Sequence, residues 1–291
     1  MNSKNKWLFV ITPKTKLIDL NLKEVWRYRD LLMLFVKRDV ITLYKQTILG
    51  PLWYLIQPLF TSLIFTLVFN KIAGIETGVI PPFLFNLAGI TTWNYFKECL
   101  IATSDTFKKN EQIFGKVYFP RIIMPMSIIV SNLLKFGIQI LILALFYIYY
   151  LSIGIQISLN KYIFLFPFLV LLMGMLGLGL GMIISSMVTK YRDLTFLVSF
   201  GVQLLMYMSA VMYPISLMRE KLINIEKGFD YSWLIDYNPL AYIIEMSRFL
   251  ILNEGSVSQF GIVYTTLISI IILFFGIVIF NKTEKSFIDT I

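Results

Sequence analysis

Six stretches of mainly apolar residues, separated by short segments that carry charges or Pro and Gly, recur along the 291-residue chain. A helix of about 20 apolar residues is what crosses the hydrocarbon core of a bilayer. The stretches cover about residues 52–69, 83–102, 122–151, 162–188, 194–213 and 260–280. Hydrophobic residues make up 57% of the chain, against roughly 45–50% in soluble globular proteins. The pattern predicts an all-α, polytopic membrane protein with about six transmembrane helices. No internal repeat or low-complexity linker divides it. Residues 1–50 read as a cytoplasmic amino-terminal region and residues 51–291 as one transmembrane domain.

The net charge of +9 does not point to nucleic acid, because the basic residues sit between apolar blocks rather than among base-stacking aromatics on a polar surface. Their use is orientation. Ten of them fall in residues 1–50, and the loops about 105–121 and 190–193 and the tail add eight more, against six in the opposite set of loops. By the excess of Lys and Arg on the cytoplasmic side, both termini are expected in the cytoplasm. The early apolar run Trp7 to Ile11 is shorter than the roughly 7–15 residues of a signal-peptide core, so the amino terminus is expected to be retained.

Two segments depart from simple spanning. Val25, Tyr28, Leu32, Phe35, Val40 and Leu43 recur at helical spacing while Arg27, Asp30, Arg38 and Lys45 fall largely elsewhere, which predicts an amphipathic helix on the inner membrane surface. Between Pro214 and Gln259 lies a second apolar stretch, Leu240 to Leu252. Thirteen helical residues reach only about 20 Å, too short to cross, so the stretch is expected to be re-entrant or interfacial. Glu245 and Arg248, three apart within it, can pair on one face.

Chemistry is thinly represented. There is no histidine and a single cysteine, Cys99, which removes Ser-His-Asp catalysis, an intrachain disulfide and most zinc or haem sites. No catalytic residue or metal ligand is expected. Gly174, Gly177, Gly179 and Gly181 lie inside an apolar span with no Lys-Ser/Thr after them. They read as close helix packing, with Gly177 and Gly181 at GxxxG spacing, rather than as a phosphate loop. With no Walker A motif anywhere, any ATP and its Mg must be handled by a partner. The span about 83–102 is unusually polar, with Asn86, Thr91, Thr92, Asn94, Lys97 and Glu98, and is expected to face protein or water rather than lipid. Lys135, mid-span, either faces a water-filled passage or snorkels from a tilted helix. The aromatics Trp53, Tyr54, Trp93, Tyr95 and Phe96, among others, either form the interfacial belt or line a passage over which sugar rings slide.

Four pieces in order carry a family resemblance: RDVITLYKQTILGPLWYLIQP, holding Arg38-Asp39, Tyr44, Gly50, Trp53 and Pro58; KVYFPRIIMP, holding Tyr118, Phe119, Pro120, Arg121 and Pro125; Tyr191-Arg192-Asp193; and Tyr213-Pro214 followed by Asn238-Pro239 and Arg248. From about Asp30 onward the chain resembles the permease subunits of type-2 ABC transporters that export O-antigen, capsule or teichoic-acid polymers. The resemblance implies a homodimer in the cell inner membrane, each copy bound by an ATP-binding cassette subunit, with a lipid-linked glycan passing between the copies. It places the ATPase-coupling interface at Arg38, Asp39, Lys108, Lys109, Lys116 and Arg121. It also implies that the re-entrant segment, about 214–254, forms an outer gate. The candidate channel or gate set is Trp53, Tyr54, Trp93, Tyr95, Phe96, Lys135, Tyr242, Glu245 and Arg248. No cofactor is expected on this chain. Residues before about Leu22 extend beyond the shorter members and receive no role. The competing readings are a type-2 exporter of lipid or drug cargo and an ion-coupled secondary transporter, the latter disfavoured because only Glu98 among the acidic residues lies within a span.

Overall fold

The long apolar blocks become helices whose packing is set by where small and polar residues fall along them. The computed structural model describes residues 22–45, 49–114, 116–117, 119–191, 193–223 and 230–287. The extension before Leu22, Tyr118, Arg192 and residues 224–229 of the expected gate segment lie outside this set. Among the described residues the structure is helical, with no strand. Helices α1 (Leu22–Arg27) and α2 (Arg29–Tyr44) precede α3 (Trp53–Phe65), which continues as a π-helical stretch, Thr66–Ile72. Then follow α4 (Pro82–Ser104), α5 (Thr106–Phe114), α6 (Ile123–Ser152), α7 (Phe166–Val188), α8 (Leu194–Met208), α9 (Ile215–Ile223), α10 (Trp233–Asp236), α11 (Pro239–Leu252) and α12 (Gln259–Phe287).

Four of these are long and apolar enough to cross a membrane: Trp53–Ile72, Ile123–Ser152, Ile163–Val188 and Gln259–Glu284. The molecule is therefore a multi-pass membrane protein. The other two expected spans differ in instructive ways. Helix α4 has 23 residues, enough length, but carries too much polarity to face lipid. It runs instead through the interior against α3, α6, α7 and α11. Its Asn86, Thr91, Thr92 and Asn94 are buried. Asn86 Nδ2 donates to Thr66 Oγ1 at 3.1 Å and Asn70 Oδ1 at 2.8 Å, and Thr92 shares a 2.9 Å hydrogen bond with Ser247.

Helix α8 has only 15 residues and stops at Met208, five short of the expected end at Tyr213. The chain breaks there because Ala210 takes a left-handed φ of 53° and the carbonyls that would continue the helix are taken by a side chain from α11. Helix α11 itself has 14 residues, about 21 Å and short of a crossing, as its length predicts. Asn238 caps it, accepting from the Leu240 N–H at 3.0 Å, and Pro239 opens the first turn, where a missing N–H costs nothing.

Helix α7 lies between α4 and α12, and its glycines explain how three backbones come so close. A Cβ on Gly177 would lie 2.7 Å from Cys99 Cβ, while one on Gly179 would lie 2.8 Å from the Ile272 backbone. The GxxxG pair thus receives α4 and the intervening glycine receives α12, where Gly276 meets it. Away from these contacts, large apolar side chains such as Phe60 and Ile64 on α3, Leu141 and Leu145 on α6, Phe196 and Phe200 on α8 and Phe274 on α12 remain exposed, the surface expected where lipid is the solvent.

Candidate functional site

At one end of the bundle a chain of aromatic rings joins two arginines. Arg38 on α2 donates from Nε and Nη2 to Asp39 Oδ1 at 3.0 and 2.8 Å, and its guanidinium lies 4.9 Å from the Phe35 ring centroid. Phe35 meets Phe119 at 5.8 Å, Phe119 meets Phe114 at 6.0 Å, and Arg121 lies 5.1 Å from the Phe114 centroid. Arg121 in turn donates to the Glu284 carbonyl at 2.9 Å and pairs with its carboxylate at 3.6 Å. Burial presses the Arg121 guanidinium below its ordinary pKa while Glu284 works against the shift. Packed rings thus connect α2 with the loop before α6 and, through Arg121, with the end of α12.

The six residues assigned to coupling divide here. Arg38 and Asp39 remain accessible, as do Lys108, Lys109 and Lys116, with Lys109 held to Asp105 at 3.0 Å. Arg121 is buried beneath them. It lies against Phe114 and Glu284 and forms no part of the accessible surface. The apolar face that periodicity selects on α2 packs on the protein: Phe35 is buried, with Tyr28 and Leu32 against the same cluster. Trp26, Met33 and Leu34 point outward, 69%, 58% and 60% exposed.

The candidate channel residues fall into three places. Trp93, Tyr95 and Phe96 on α4 are buried in the core of the chain, where Tyr95 packs on Phe136 at 4.9 Å and Trp93 on Phe96 at 5.5 Å. Trp53 and Tyr54 open α3, with Trp53 exposed. Lys135 Nζ lies 5.3 Å from the Tyr54 ring centroid, which gives the mid-span ammonium an aromatic face, and Lys97 pairs with Glu98 at 3.6 Å. Tyr242, Glu245 and Arg248 line up along α11.

Around Arg248 the site closes. Its side chain is fully buried. Nη1 donates to the Ala210 carbonyl at 2.8 Å and to that of Tyr213 at 3.4 Å, Nη2 donates to the Val211 carbonyl, and Glu245 Oε2 lies 3.7 Å from Nη1. The guanidinium stacks 3.8 Å from the Phe85 ring centroid, over Gly89, where any Cβ would collide with it. One side chain thus ties α11 to α4 and to the turn after α8. Asn238 reinforces the tie, donating to the Met208 carbonyl at 3.0 Å and Ser209 Oγ at 3.1 Å. The sequence pairs Glu245 with Arg248 through helical spacing, but nothing in it signals the carbonyls of residues 210–213 as partners.

A family model described as ABC-2 type transporter matches residues 30–252, which takes in α2 from Asp30 onward, the aromatic relay to Arg121 and all of α11. The chain belongs to the ABC-2 type transporter family. Two curated relatives named O-antigen export system permease protein RfbA, both from Klebsiella pneumoniae, are each 28% identical over 262 residues, covering 89% of this chain and 94% of theirs. A third of the same name from Myxococcus xanthus is 23% identical over 270 residues, covering 93% and 98%. As an ABC-2 transporter subunit the chain is a transport component rather than an enzyme, and membership of the family implies an ATP-binding cassette partner. The accessible patch of Arg38, Asp39, Lys108, Lys109 and Lys116 sits on the segments of this ABC-2 chain that the aromatic relay connects to the spans.

Proposed function

We propose that this chain is the permease subunit of an ATP-driven exporter that moves a lipid-linked polysaccharide of the O-antigen type across the cell inner membrane, working as a homodimer with two ATP-binding subunits. The observation that carries the reading is the near-complete overlap with three relatives named as O-antigen export permeases. The charge bias supports cytoplasmic termini and six crossings, with α4 and the segment 194–213, made of α8 and the turn after it, completing the four long apolar spans, and a cytoplasmic region before residue 51 joined to one permease domain.

In this reading Arg38, Asp39, Lys108, Lys109 and Lys116 meet the ATP-binding partner and Arg121 braces them. The short helices α9 to α11, with Tyr242 facing outward and the Glu245–Arg248 pair within, form the outer gate. Tyr54 and Lys135 face the passage; Trp93, Tyr95 and Phe96 support it from the core. ATP and Mg act on the partner alone. Such a partner drives export by favouring different permease states with and without ATP. The exposed apolar faces of α3 and α6 supply surface for lipid and for a second copy.

The test is purification of the chain from its native membrane, followed by an ATPase assay and a cell-surface glycan assay in a strain lacking it. A stoichiometric Walker A subunit that hydrolyses ATP, with surface polysaccharide restored by the chain, is the expected result. A chain that purifies alone and moves solute down an ion gradient overturns the reading, and a normal glycan surface in the deletion strain overturns its cargo.

A further inference from the structure

About 36 Å along α12 from Glu284, at the opposite end of the bundle, an open pocket of about 460 Å³ lies between α9, α10, α11 and the start of α12. That volume falls within the roughly 300–1,000 Å³ of small-molecule sites. Its walls combine two kinds of group. The indole of Trp233 and the ring of Tyr237 are 56% and 61% exposed, while Tyr242 and Phe260 complete an aromatic side. Tyr264 packs on three of these rings: it donates its hydroxyl to the Tyr237 carbonyl at 2.9 Å, stacks on Phe260 at 5.7 Å and meets Tyr237 and Tyr242 edge-on.

The second wall is polar and fixed. Arg219 Nη2 donates to Asp236 Oδ2 at 2.8 Å and both residues line the pocket; a single bond of this kind uses one of the five guanidinium N–H donors and one of the two carboxylate oxygens. Asp230 accepts from the Ser232 N–H at 2.8 Å, which holds its carboxyl below the ordinary range. Arg219, Asp230 and Asp236 together leave the pocket with an excess negative charge, so an anionic ligand is repelled. An interfacial aromatic belt explains exposed rings singly; it does not explain a concave site in which rings and a poised Arg–Asp pair face the same space.

A pyranose ring offers an apolar C–H face and a rim of hydroxyls that both donate and accept. The exposed ring faces fit the first and the Arg219–Asp236 pair fits the second. We propose that this pocket is a saccharide subsite that holds neutral pyranose units at the gate end of the permease, a reading that rests on glycan export as the function. Formed by the gate helices α9 to α11 themselves, it gives an emerging chain a sugar-binding ledge on the gate.

The experiment is saturation-transfer NMR on the chain co-purified with its ATP-binding partner in nanodiscs, using gluco-, manno-, galacto- and rhamno-oligosaccharides of six residues and a galacturonate hexamer as probes. The ring protons of at least one neutral probe should receive saturation, and the effect should fall about tenfold when the aromatic wall is removed in the Trp233→Ala/Tyr237→Ala double variant. Asp236→Asn should weaken it without abolishing it. Both rings are exposed, so the double variant should elute as the wild-type complex does. Equal saturation in wild type and the double variant, no saturation of any neutral probe, or saturation of the galacturonate alone overturns the subsite. Glycan export by the wild-type complex is measured in the same strain: if export is intact while the NMR result is negative, only the subsite falls, and if the wild type exports no glycan, the proposed function falls with it.

Discussion

The guanidinium of Arg248 on α11 stacks 3.8 Å from the ring centroid of Phe85 on α4, and the same guanidinium holds the carbonyls that end α8. An aromatic face, three carbonyls and Glu245 stand in for water around this buried charge, with Nε left without a hydrogen-bond partner among the described residues. A short helix that cannot span the membrane is thereby locked to one of the most polar helices in the bundle.

Removing that charge should be costly. Arg248→Ala leaves the turn carbonyls without their donor and Glu245 without its buried cation, and breaking a buried pair from one side costs about 3–5 kcal/mol. Purified Arg248→Ala should therefore lose folded yield and melt well below wild type in detergent. Arg248→Lys should recover only part of the loss, because an ammonium lacks the planar fork that reaches several carbonyls. A melting temperature unchanged in Arg248→Ala would show that the tie between α11 and the turn after α8 carries no stability.

The glycines of α7 give a sharper contrast. Gly177→Leu forces a branched side chain into Cys99, and overpacking of this kind costs about 1–3 kcal/mol. Gly201 on α8 meets nothing within 4 Å of its missing Cβ, so Gly201→Ala should be neutral or stabilising by about 0.5–1 kcal/mol, the ordinary gain for a helix interior. Fluorescence size-exclusion after a heating series ranks the two; equal behaviour would mean that the α4–α7 approach is not limiting.

Much of this architecture was legible because it follows from length, polarity and residue size. The 13-residue limit on Leu240–Leu252 marks a helix that cannot cross. The polar list on residues 86–98 anticipates a helix withdrawn from lipid, and the spacing of Gly177 and Gly181 anticipates close packing. Other features hide because they depend on residues far apart in sequence. Arg248 finds its carbonyls 35 to 38 positions away, and Arg121 finds Glu284 at a separation of 163. Trp93, Tyr95 and Phe96 cannot be sorted by periodicity, since periodicity marks which face of a helix is apolar and not whether that face meets lipid, a passage or the protein core. The Arg219–Asp236 pair leaves no signal at all in the pattern, being surface charges on two short helices.

The aromatic relay separates the arginines at its two ends. Arg38→Ala and Asp39→Ala alter an accessible pair and should leave insertion and melting near wild type while lowering ATP-dependent export about tenfold, within the 1–3 kcal/mol typical of coupling between sites. Partner ATPase activity should persist, uncoupled from export. Arg121→Ala, by contrast, empties a buried position and removes the Arg121 contacts to the Glu284 carbonyl and carboxylate, so folded yield should fall along with export. The check is to measure export, ATP hydrolysis and melting on the same three variants. Normal export in Arg38→Ala and Asp39→Ala would remove that pair from coupling.

Topology can be read through the single cysteine. Cys99 is fully buried, so the native chain should resist a membrane-impermeant maleimide and react only after denaturation. That makes Cys99→Ala a silent background for single cysteines placed at exposed positions. Lys116 and Lys161 flank α6, whose 30 residues extend about 45 Å, more than the roughly 30 Å hydrocarbon core. Cysteines at these two sites should label from opposite faces of the membrane, with position 116 reached only in inside-out vesicles. A cysteine at Lys282 should follow position 116, because α12 ends beside Arg121, and one at Trp233 should follow position 161. Labelling of 116 and 161 from the same face would mean that α6 does not cross, and the pocket beside Trp233 would then lie on the same side as the coupling surface.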